Sequence, residues 1–595
     1  MLRYVADERR DRRRSPAILA PFRADAAVGY RASDVPGLHL AAMMPAVRQG
    51  LPVPASVRHS CLLLVLSVIV GFVVILGVIA FQRDVYNYNT ESDYLGGFIP
   101  EAVRLLRGEP LEIDFHPPLY PAIIAGLQLL IRDWFATGLL VSLAASLAVL
   151  ITTLLLLRRA MGPGAAMGGI VALVISPTFV YYSLQATSEL FSLALYMAAF
   201  LAVYVSVERR SPGSYLVAGL LIGLALLTRT NHVVLLGLLL FYLVPAPVGG
   251  RAIPPVVRAK SLTVALAGVG LPLAAWLGFA LGTGAPVMPT KNHENLALTY
   301  FSGDSRISGD ARLALVTRFD STRAVLTADP IGLVRTYARD FAATTRRLLA
   351  RDTVLAFPLV AVSLLAWLVL LAKERQKRAW YGVLLLNLAA MYALLNFKMY
   401  EHRYYLYLLP FLGAAVGHGI SLAFRASDKI YVRIGPMIVV LALVGHGALH
   451  GASEAKRLHL AAWATDAQAA GRELVALDAV GQGRVYARKH HVAYYAGMDS
   501  AWLPDLATVE HLHEHLVESA RADARSTFVF YGYPERRTRP QYQTLATPDT
   551  EQLPSLELVA RGSELGGWVL YRVLTEQDGE SGGGVAGHRA DAQSP

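Results

Sequence analysis

The chain alternates long apolar blocks with short polar segments, and most of the blocks approach the length of a membrane span. The first block covers Cys61–Phe81. The later blocks cover residues 118–131, 137–157, 164–184, 188–207, 214–228, 232–245, 261–282, 353–373, 379–396, 404–424 and 431–450. A helix needs about 20 apolar residues to cross a hydrocarbon core. The pattern therefore predicts a polytopic α-helical membrane protein with 11 to 13 spans.

Composition supports this prediction. Hydrophobic residues make up 54% of the 595 residues, charged residues make up 17%, and the mean hydropathy is +0.42. Soluble domains carry about 25% charged residues, so the composition argues against a soluble enzyme. The single cysteine, Cys61, excludes an intrachain disulfide and a cysteine-based metal cluster.

The net charge is +11, from 55 basic and 44 acidic residues. In a membrane protein, basic residues mark cytoplasmic loops, so we interpret this excess as a topology signal and expect no nucleic-acid partner. Residues 1–59 include the basic run Glu8–Arg14 and precede an apolar block that is longer than the core of a signal peptide. We expect a basic, disordered cytoplasmic tail followed by a retained first span.

Five basic loops separate the later blocks, at Arg158-Arg159, Arg209-Arg210, 251–260, 373–378 and 425–433. Placing all five inside the cell puts the segments 82–117, 283–352 and 451–595 outside. Residues 118–131 are short for a span, at about 21 Å if helical. If they cross alone, the alternation from residue 137 onward inverts. The number of spans therefore stays open.

The end of the chain has a different character. Val485–Arg488, Val492–Tyr495 and Thr527–Tyr531 have the pattern of short strands, and Leu556–Ala560 with Trp568–Val573 has that of a closing hairpin. Residues 508–522 are typical of a helix with Thr508 as its N-cap. We expect a small α/β domain.

Together these patterns predict a multi-pass protein of the inner (plasma) membrane with a cytoplasmic N-terminus. The predicted divisions are the tail 1–59, a transmembrane module 60–450 with outer loops 82–117 and 283–352, an extracytoplasmic α/β domain 451–578, and a disordered tail 579–595.

The first loop, residues 82–117, holds the densest polar cluster beside a membrane segment. It contains the polar run Arg83–Tyr94 and an amphipathic stretch, Phe98–Arg107, that ends at Gly108, where a helix C-cap is expected. The run from Leu111 to Pro121 then returns the chain to the membrane through a rigid Pro-Pro pair. An amphipathic helix in the plane of the interface would hold the polar residues at the boundary between water and lipid.

These residues carry a resemblance. Asp93-Tyr94, a helix containing Ala and Leu-Leu-x-Gly, and the x-Pro-Pro-Leu-Tyr-Pro run that includes His116 are together similar to the opening of the GT-C glycosyltransferases. The closest branch is the protein O-mannosyltransferase-like one (glycosyltransferase family 39), which includes the lipid A aminoarabinose transferases. Ser188-Glu189, Thr228-Arg229 and His402-Arg403-Tyr404 extend the resemblance downstream.

The resemblance implies an enzyme that transfers a sugar from a polyprenyl-phosphate carrier to a hydroxyl acceptor on the outer face of the membrane. Asp93 would be the general base, and His116, Arg229 and Arg403 would bind the donor phosphate. The remaining expected substrate-binding residues are Tyr94, Asp114, Glu189 and Tyr404. The acceptor would be a lipid, a glycan or a protein, and membrane lipids would be the other partners.

The resemblance also leaves details of this site open. The aminoarabinose branch has Lys where this chain has His116, and a histidine is only partly charged near neutral pH. Many members of the family have a second acid beside the base, whereas Tyr94 follows Asp93 here. Glu91 or Asp114 could supply that carboxylate. No cofactor is implied, and dependence on a divalent metal stays open.

Simpler interpretations stand beside these roles. Arg229 and Arg403 could extend to lipid headgroups without binding substrate. Glu189 could simply cap a helix, and Tyr404 could belong to an aromatic belt. His116 could lie at the interface without a role in binding. His511 and His515 have helical i,i+4 spacing, but a zinc site needs three or four ligands, and a solvated face is the expectation.

Other functions compete with sugar transfer. A transporter or flippase for lipid-linked sugars predicts ionisable residues in the middle of spans, whereas the polar residues here cluster at the span ends. A glycan ligase or polymerase acting on lipid-linked sugars is the nearer alternative. A scaffold without activity gives no reason for the polar first loop.

Overall fold

A computed structural model describes residues 55–83, 85–88, 91–244, 254–302, 314–315, 317–349, 357–374, 377–396, 402–426, 445, 449, 463–477, 483–523, 525–547 and 553–575. Residues 1–54 of the predicted tail 1–59, the predicted tail 579–595 and nearly all of the predicted span 431–450 lie outside these residues. Residues 55–59 of the predicted tail belong to the first helix. The chain divides into two units, Met1–Leu66 and Ser67–Pro595. Everything below concerns the second unit, apart from the bounds of the first helix.

In the described part of the chain up to residue 302, the helices are α1 (Ala55–Phe81), α2 (Ile99–Arg107), α3 (Leu119–Ile131), α4 (Trp134–Ala160), α5 (Pro163–Val174), α6 (Pro177–Ser183), α7 (Glu189–Arg209), α8 (Pro212–Leu226), α9 (Pro255–Thr283) and α10 (Asn292–Phe301). A single π-helical turn, Tyr94–Phe98, leads into α2, and a 3₁₀ segment, Thr230–Tyr242, follows α8. Gly108 ends α2 with φ 71°, in the left-handed region that favours glycine. The expected C-cap is therefore present.

The later helices are α11 (Thr322–Ala328), α12 (Pro330–Leu349), α13 (Phe357–Lys373), α14 (Arg378–Leu395) and α15 (Leu409–Ala426), with a 3₁₀ segment, His402–Tyr407, before α15. They are followed by a sheet region, residues 463–575, which contains the helices α16 (Thr465–Ala476), α17 (His491–Ala496), α18 (Val509–Ala522) and α19 (Tyr533–Thr538).

Five of the described helices are long and apolar enough to cross a membrane: Leu62–Phe81, α4, α7, α9 and α14. The pair α5 and α6 passes the same test together but bends by 68°, which makes it a broken span or a re-entrant loop. Pro177 begins α6, and the ring of a proline cannot continue the preceding helix. Shorter apolar helices complete the set: Leu119–Ile131, Pro212–Leu226, Thr230–Tyr242, Val360–Lys373 and Leu409–Leu422.

Small residues bring the helices of this bundle into backbone contact. A Cβ atom added to Gly168 of α5 would lie 2.2 Å from the carbonyl oxygen of Gly413 in α15, and one added to Gly219 of α8 would lie 2.0 Å from the oxygen of Ala265 in α9. In lipid, helices associate through such close packing because burial of apolar surface gains little there. The side chains of Val68, Val74, Ile75 and Val78 on α1 stay more than half exposed, as lipid-facing residues would.

The sheet region contains five strands in the order β2-β1-β3-β5-β4, where β1 is Gly483–Ala487, β2 Asp499–Trp502, β3 Ser526–Tyr531, β4 Leu556–Gly562 and β5 Trp568–Val573. The pairs β1–β2 and β1–β3 are parallel, and the pairs β3–β5 and β4–β5 are antiparallel. The predicted closing hairpin is confirmed. Thr508 also caps α18 as predicted, because its hydroxyl accepts a hydrogen bond from the His511 backbone N–H at 3.3 Å.

One predicted strand was wrong. Val492–Tyr495 belongs to α17, and strand β2, which was not predicted, follows it. Val492, Ala493 and Ala496 point into the core at helical spacing, and Gly497, with φ 64°, ends the helix. Over so few apolar residues the strand and helix periods cannot be told apart, and packing decided between them.

The start of the first loop is held against the sheet region. Tyr86 accepts a hydrogen bond from the Ala464 N–H at 3.0 Å, and its own N–H donates to the Tyr495 hydroxyl at 2.8 Å. Farther along, the Tyr88 hydroxyl donates to Asp466 at 2.6 Å. These contacts join segments 378 to 409 residues apart in sequence, so the fold holds the start of the first loop to the sheet region.

Candidate active site

Four charged side chains from four separate parts of the chain meet at one end of the helices. Asp93 lies directly before the π-helical turn, Glu189 begins α7, Arg229 lies at the start of the 3₁₀ segment after α8, and Arg403 lies in the 3₁₀ segment before α15. We call these four residues the rim cluster. The sequence predicted all four as site residues, and the fold brings them together.

Glu189 is the centre of the rim cluster. Its Oε1 atom accepts hydrogen bonds from Arg229 at 2.6 Å and from Arg403 at 2.7 Å. Its side chain is only 6% exposed, and those of the two arginines are 16% and 15% exposed. One sheltered carboxylate therefore fixes two guanidinium groups beside each other, in addition to beginning a helix.

Asp93 is the more open acid of the cluster. Its Oδ2 atom lies 3.7 Å from Nη1 of Arg403, and its side chain is 44% exposed. The carboxylate thus contacts the positive edge of the cluster while it stays accessible to a second molecule. This combination suits a group that accepts a proton from a bound hydroxyl.

Tyr404 covers the two arginines. Its ring centre lies 5.2 Å from the guanidinium carbon of Arg403 and 5.9 Å from that of Arg229, distances typical of cation–π contact. The Arg403 side chain also donates to the Tyr404 hydroxyl at 3.4 Å. Tyr404 therefore restricts where the guanidinium groups can point, which is more than an aromatic-belt residue does.

His116 lies next to the cluster as a neutral group. Its ring packs on Phe98 with 4.5 Å between ring centres. Burial lowers the pKa of His116 to about 4; the nearby Asp93 carboxylate opposes this shift and the arginines add to it. Near neutral pH His116 can offer a hydrogen bond, but the positive charge that a lysine would carry at this position is missing.

A polar layer lies one helical turn below Glu189. The Ser192 hydroxyl is 2.7 Å from the Tyr407 hydroxyl and 3.1 Å from Nε2 of His232, whose Nδ1 is 2.8 Å from the Ala225 carbonyl oxygen. The residues of this layer are buried. Sequence patterns missed them because each is a single polar residue within an apolar block.

Of the two acids that could supply a second carboxylate beside the base, Glu91 already accepts hydrogen bonds at both of its oxygens. Arg83 donates to both of its oxygens, at 2.7 and 2.6 Å, and the backbone N–H groups of Asn87 and Ala186 donate to it as well. Its side chain is fully buried. Glu91 therefore joins the first loop to the chain just before α7, and so positions Asp93 relative to Glu189.

Asp114 and Tyr94 contact other parts of the chain. The Asp114 carboxylate pairs with Lys291 at 2.5 Å, at the start of the segment that leads into α10. Tyr94 is buried, and its hydroxyl donates to the Trp134 carbonyl oxygen at 2.7 Å. Asp114 thus connects two loops, and Tyr94 packs in the core beneath the first loop.

The sheet region adds two residues that the sequence did not indicate. Lys489 donates to the hydroxyl of Ser92, the neighbour of Asp93, at 2.8 Å. The ring of His490 lies against Gly96, where an added Cβ atom would come within 2.1 Å of it. Nothing in the local sequence marks either residue, because their position depends on how the sheet region packs on the first loop.

Within the described ranges, no three His, Cys, Asp or Glu side chains are grouped so that they could hold a metal ion. The chemistry available at the rim cluster is instead that of a partly exposed carboxylate beside sheltered cations. Such a site can bind an anionic group and accept a proton next to it.

Comparison with known proteins supports the resemblance seen in the sequence. Residues 115–276, about a quarter of the chain, match the family model described as dolichyl-phosphate-mannose-protein mannosyltransferase. The match confirms the resemblance to the protein O-mannosyltransferase-like branch of the GT-C glycosyltransferases. A search of curated proteins found no match.

Solved structures with a similar fold include the archaeal oligosaccharyltransferase AglB from Archaeoglobus fulgidus in complex with an inhibitory peptide and a dolichol-phosphate. It is 11% identical, with a TM-score of 0.50, and the match covers 84% of this chain and 74% of that one. ArnT from Cupriavidus metallidurans bound to undecaprenyl phosphate is 13% identical, with a TM-score of 0.46, and the match covers 85% and 97%. The likeness to AglB shows a GT-C-like membrane fold, as the sequence predicted.

Proposed function

We propose that the protein transfers a sugar from a polyprenyl-phosphate carrier to a hydroxyl acceptor, with Asp93 as the general base. The observation that carries this proposal is the rim cluster, in which a partly exposed carboxylate lies 3.7 Å from one of two arginines held together by Glu189. The family match and the fold are consistent with this activity.

In this reaction the Asp93 carboxylate accepts the proton of the acceptor hydroxyl as its oxygen attacks the anomeric carbon. The new bond joins the acceptor oxygen to that carbon. The bond between the anomeric carbon and the phosphate oxygen breaks, and its electron pair leaves with the polyprenyl phosphate. Charge grows on the phosphate as this bond breaks, so cations fixed in place beforehand lower the barrier.

Arg229 and Arg403 are the cations proposed for that role. Glu189 neutralises one of their two charges and sets their spacing, which leaves the pair with a net positive charge. Arginine suits phosphate because its planar fork can bind two oxygens at once. His116 adds hydrogen bonding to the phosphate or the sugar rather than charge. Glu189 and Tyr404 position the arginines.

The proposal also includes the kind of carrier, the acceptor and the location of the reaction. The matching family is described by a dolichyl-phosphate mannose donor and a protein acceptor, and AglB was solved with a dolichol-phosphate and a peptide. A polyprenyl-phosphate sugar is accordingly the donor class proposed here, and the acceptor is a lipid, a glycan or a protein. The basic loops of the sequence support a reaction on the outer face of the inner membrane.

Transfer by the purified protein in nanodiscs tests the proposal. Radiolabelled polyprenyl-phosphate sugars are offered with a membrane extract as the source of acceptor, and wild type is compared with Asp93→Asn. We expect the variant to lose at least about 100-fold in rate, because general base catalysis contributes about 10²–10⁴-fold. Its thermal stability should stay close to that of wild type, since the contact with Arg403 is partly exposed.

Glu112→Gln is the matched control. Glu112 also lies in the first loop, its side chain is 59% exposed, and it pairs with Arg104, which is not a member of the rim cluster. The same loss of a carboxylate should leave its rate unchanged. Full activity of Asp93→Asn would remove Asp93 as the base. Movement of donor across liposome membranes without transfer of label would turn the assignment to a transporter.

A further inference from the structure

Lys489 belongs to the sheet region but lies at the rim cluster. It follows strand β1 and precedes α17, in the turn that faces the first loop. Its ammonium group donates a hydrogen bond to Ser92 at 2.8 Å. Ser92 is the residue before Asp93, so this side chain from the far end of the sequence reaches the neighbourhood of the proposed base.

The turn that carries Lys489 is fixed on both sides. His490 packs against Gly96, and its Nδ1 is 2.7 Å from the Ser500 hydroxyl. His491 is buried, with Nε2 3.2 Å from the Asn87 carbonyl oxygen. A lysine held in this way needs little further ordering to bind a ligand, which lowers the entropic cost of binding.

The surroundings of Lys489 favour an anion. In the described part of the chain no carboxylate lies within 4 Å of its ammonium nitrogen, and the ammonium group donates to the neutral Ser92 hydroxyl. The rim arginines, by contrast, share the charge of Glu189. A partly buried cation without a carboxylate in contact is stabilised when a ligand brings negative charge.

The charged groups that act on Lys489 are Arg488, Asp93, Glu535 and Arg403. Burial is the largest effect and lowers the pKa of Lys489 to about 8; the two arginines act in the same direction, and the two acids oppose them. His490 and His491 are further titratable neighbours, and burial lowers their pKa values to about 4 and about 3, so both are neutral in this range. Lys489 is therefore mostly charged at pH 7 and loses its proton in the range where the arginines keep theirs.

We propose that Lys489 binds the phosphate of the lipid-linked donor, so that the sheet region forms part of the donor site. The inference rests on the proposed function, since it assigns a third cation to the same phosphate. The ammonium group of Lys489 would also supply the positive charge that the neutral His116 lacks. Lys489 is a substrate-binding residue here and takes no part in proton transfer.

The experiment measures binding of a polyprenyl phosphate without a sugar to the full-length protein in nanodiscs, for wild type and for Lys489→Met. A hydrogen bond to a charged group contributes about 1.5–3 kcal/mol, so the Kd should rise about 10- to 100-fold. Lys489→Arg should keep most of the affinity. Arg472→Met removes a positive charge from an exposed position on α16, and its Kd should match that of wild type.

Two further measurements separate binding from anchoring. Ser92→Ala removes the hydroxyl partner and leaves the charge, so it should change the Kd by less than about twofold. Wild-type affinity should fall as the pH rises through about 8, where the ammonium group loses its proton, whereas the affinity of Lys489→Arg should not fall in this range. The pH profile and the arginine variant keep the test decisive if Lys489→Met does not fold.

Two outcomes would overturn the inference while the proposed function stands. One is equal affinity of Lys489→Met and wild type for the lipid phosphate. The other is a loss in Ser92→Ala as large as that in Lys489→Met, which would make Lys489 an anchor between the loop and the sheet region. A wild-type protein that binds no polyprenyl phosphate at all would instead refute the donor class, and the inference with it.

Discussion

Glu189→Gln removes the one negative charge that two arginines share, and its effect can be worked out from the geometry. The Glu189 oxygen lies 2.6 Å from Arg229 and 2.7 Å from Arg403. With charge centres about 4 Å apart and an effective dielectric constant near 20, each pair gains roughly 4 kcal/mol of Coulomb energy. Desolvation offsets much of this gain, but removing one partner of a buried pair still costs about 3–5 kcal/mol.

We therefore expect Glu189→Gln to lower the free energy of unfolding by about 3–5 kcal/mol. With an unfolding entropy of about 2.1 cal/mol/K per residue, heating in detergent should show a fall of about 2–4 °C in the unfolding midpoint. The transfer rate at low temperature should fall as well, because the guanidinium groups lose the group that sets their spacing. Scans at two heating rates will show whether the midpoint reflects equilibrium or the rate of unfolding.

The matched control is Glu374→Gln. Glu374 lies just after α13 and before α14, and it accepts hydrogen bonds from Tyr381 at 2.8 Å and His418 at 2.6 Å. It should lower stability without changing the transfer rate of the folded protein.

The double variant Glu189→Gln/Arg403→Gln supplies the test of coupling. It should be more stable than the sum of its single changes predicts, because the second substitution removes a cation that the first left without the shared carboxylate. A Glu189→Gln protein as stable as wild type, or strict additivity in the double variant, would refute the reasoning.

Two further predictions concern the first loop, one its contact with the sheet region and the other the pKa of His116. Gly96→Ala places a Cβ atom within 2.1 Å of the His490 ring and should cost about 1–3 kcal/mol of stability and slow transfer; Gly97→Ala, whose Cβ atom would lie 3.6 Å from the His116 ring, should be neutral in the same thermal scans. The pKa of His116 is about 4 in the folded protein and about 6.5 in an unfolded chain. The folded state therefore binds fewer protons, and stability falls as the pH drops from 6.5 towards 4; His116→Gln should weaken this dependence in pH-resolved unfolding, and an unchanged profile would contradict the lowered pKa.

Much of the architecture could be predicted from apolar length and local signals. The spans appear as long apolar runs because a helix needs about 20 apolar residues to cross the hydrocarbon core. Gly108 and Thr508 mark helix ends through their own conformational and hydrogen-bonding preferences. Each of these features depends on neighbours in sequence, and so the sequence alone reveals it.

The rim cluster could be predicted from the sequence only in part. Asp93, Glu189, Arg229 and Arg403 were predicted as site residues through a family resemblance and through their places beside apolar blocks. That one Glu189 oxygen holds both arginines could not be predicted, since it depends on how the helix ends approach each other. The same holds for Glu91, a plausible second acid in the sequence that the fold surrounds with donors.

The sequence by itself determined the membrane class, the approximate positions of the spans, the helix caps and the residue types able to handle an anionic donor. The tertiary structure alone decided that 492–495 is helical, that α5 and α6 are bent, and that Lys489 lies beside Ser92. The physical reason is how far apart in the sequence the interacting residues lie. Periodicity and capping are local effects, whereas burial and ion pairing depend on segments that only folding brings together.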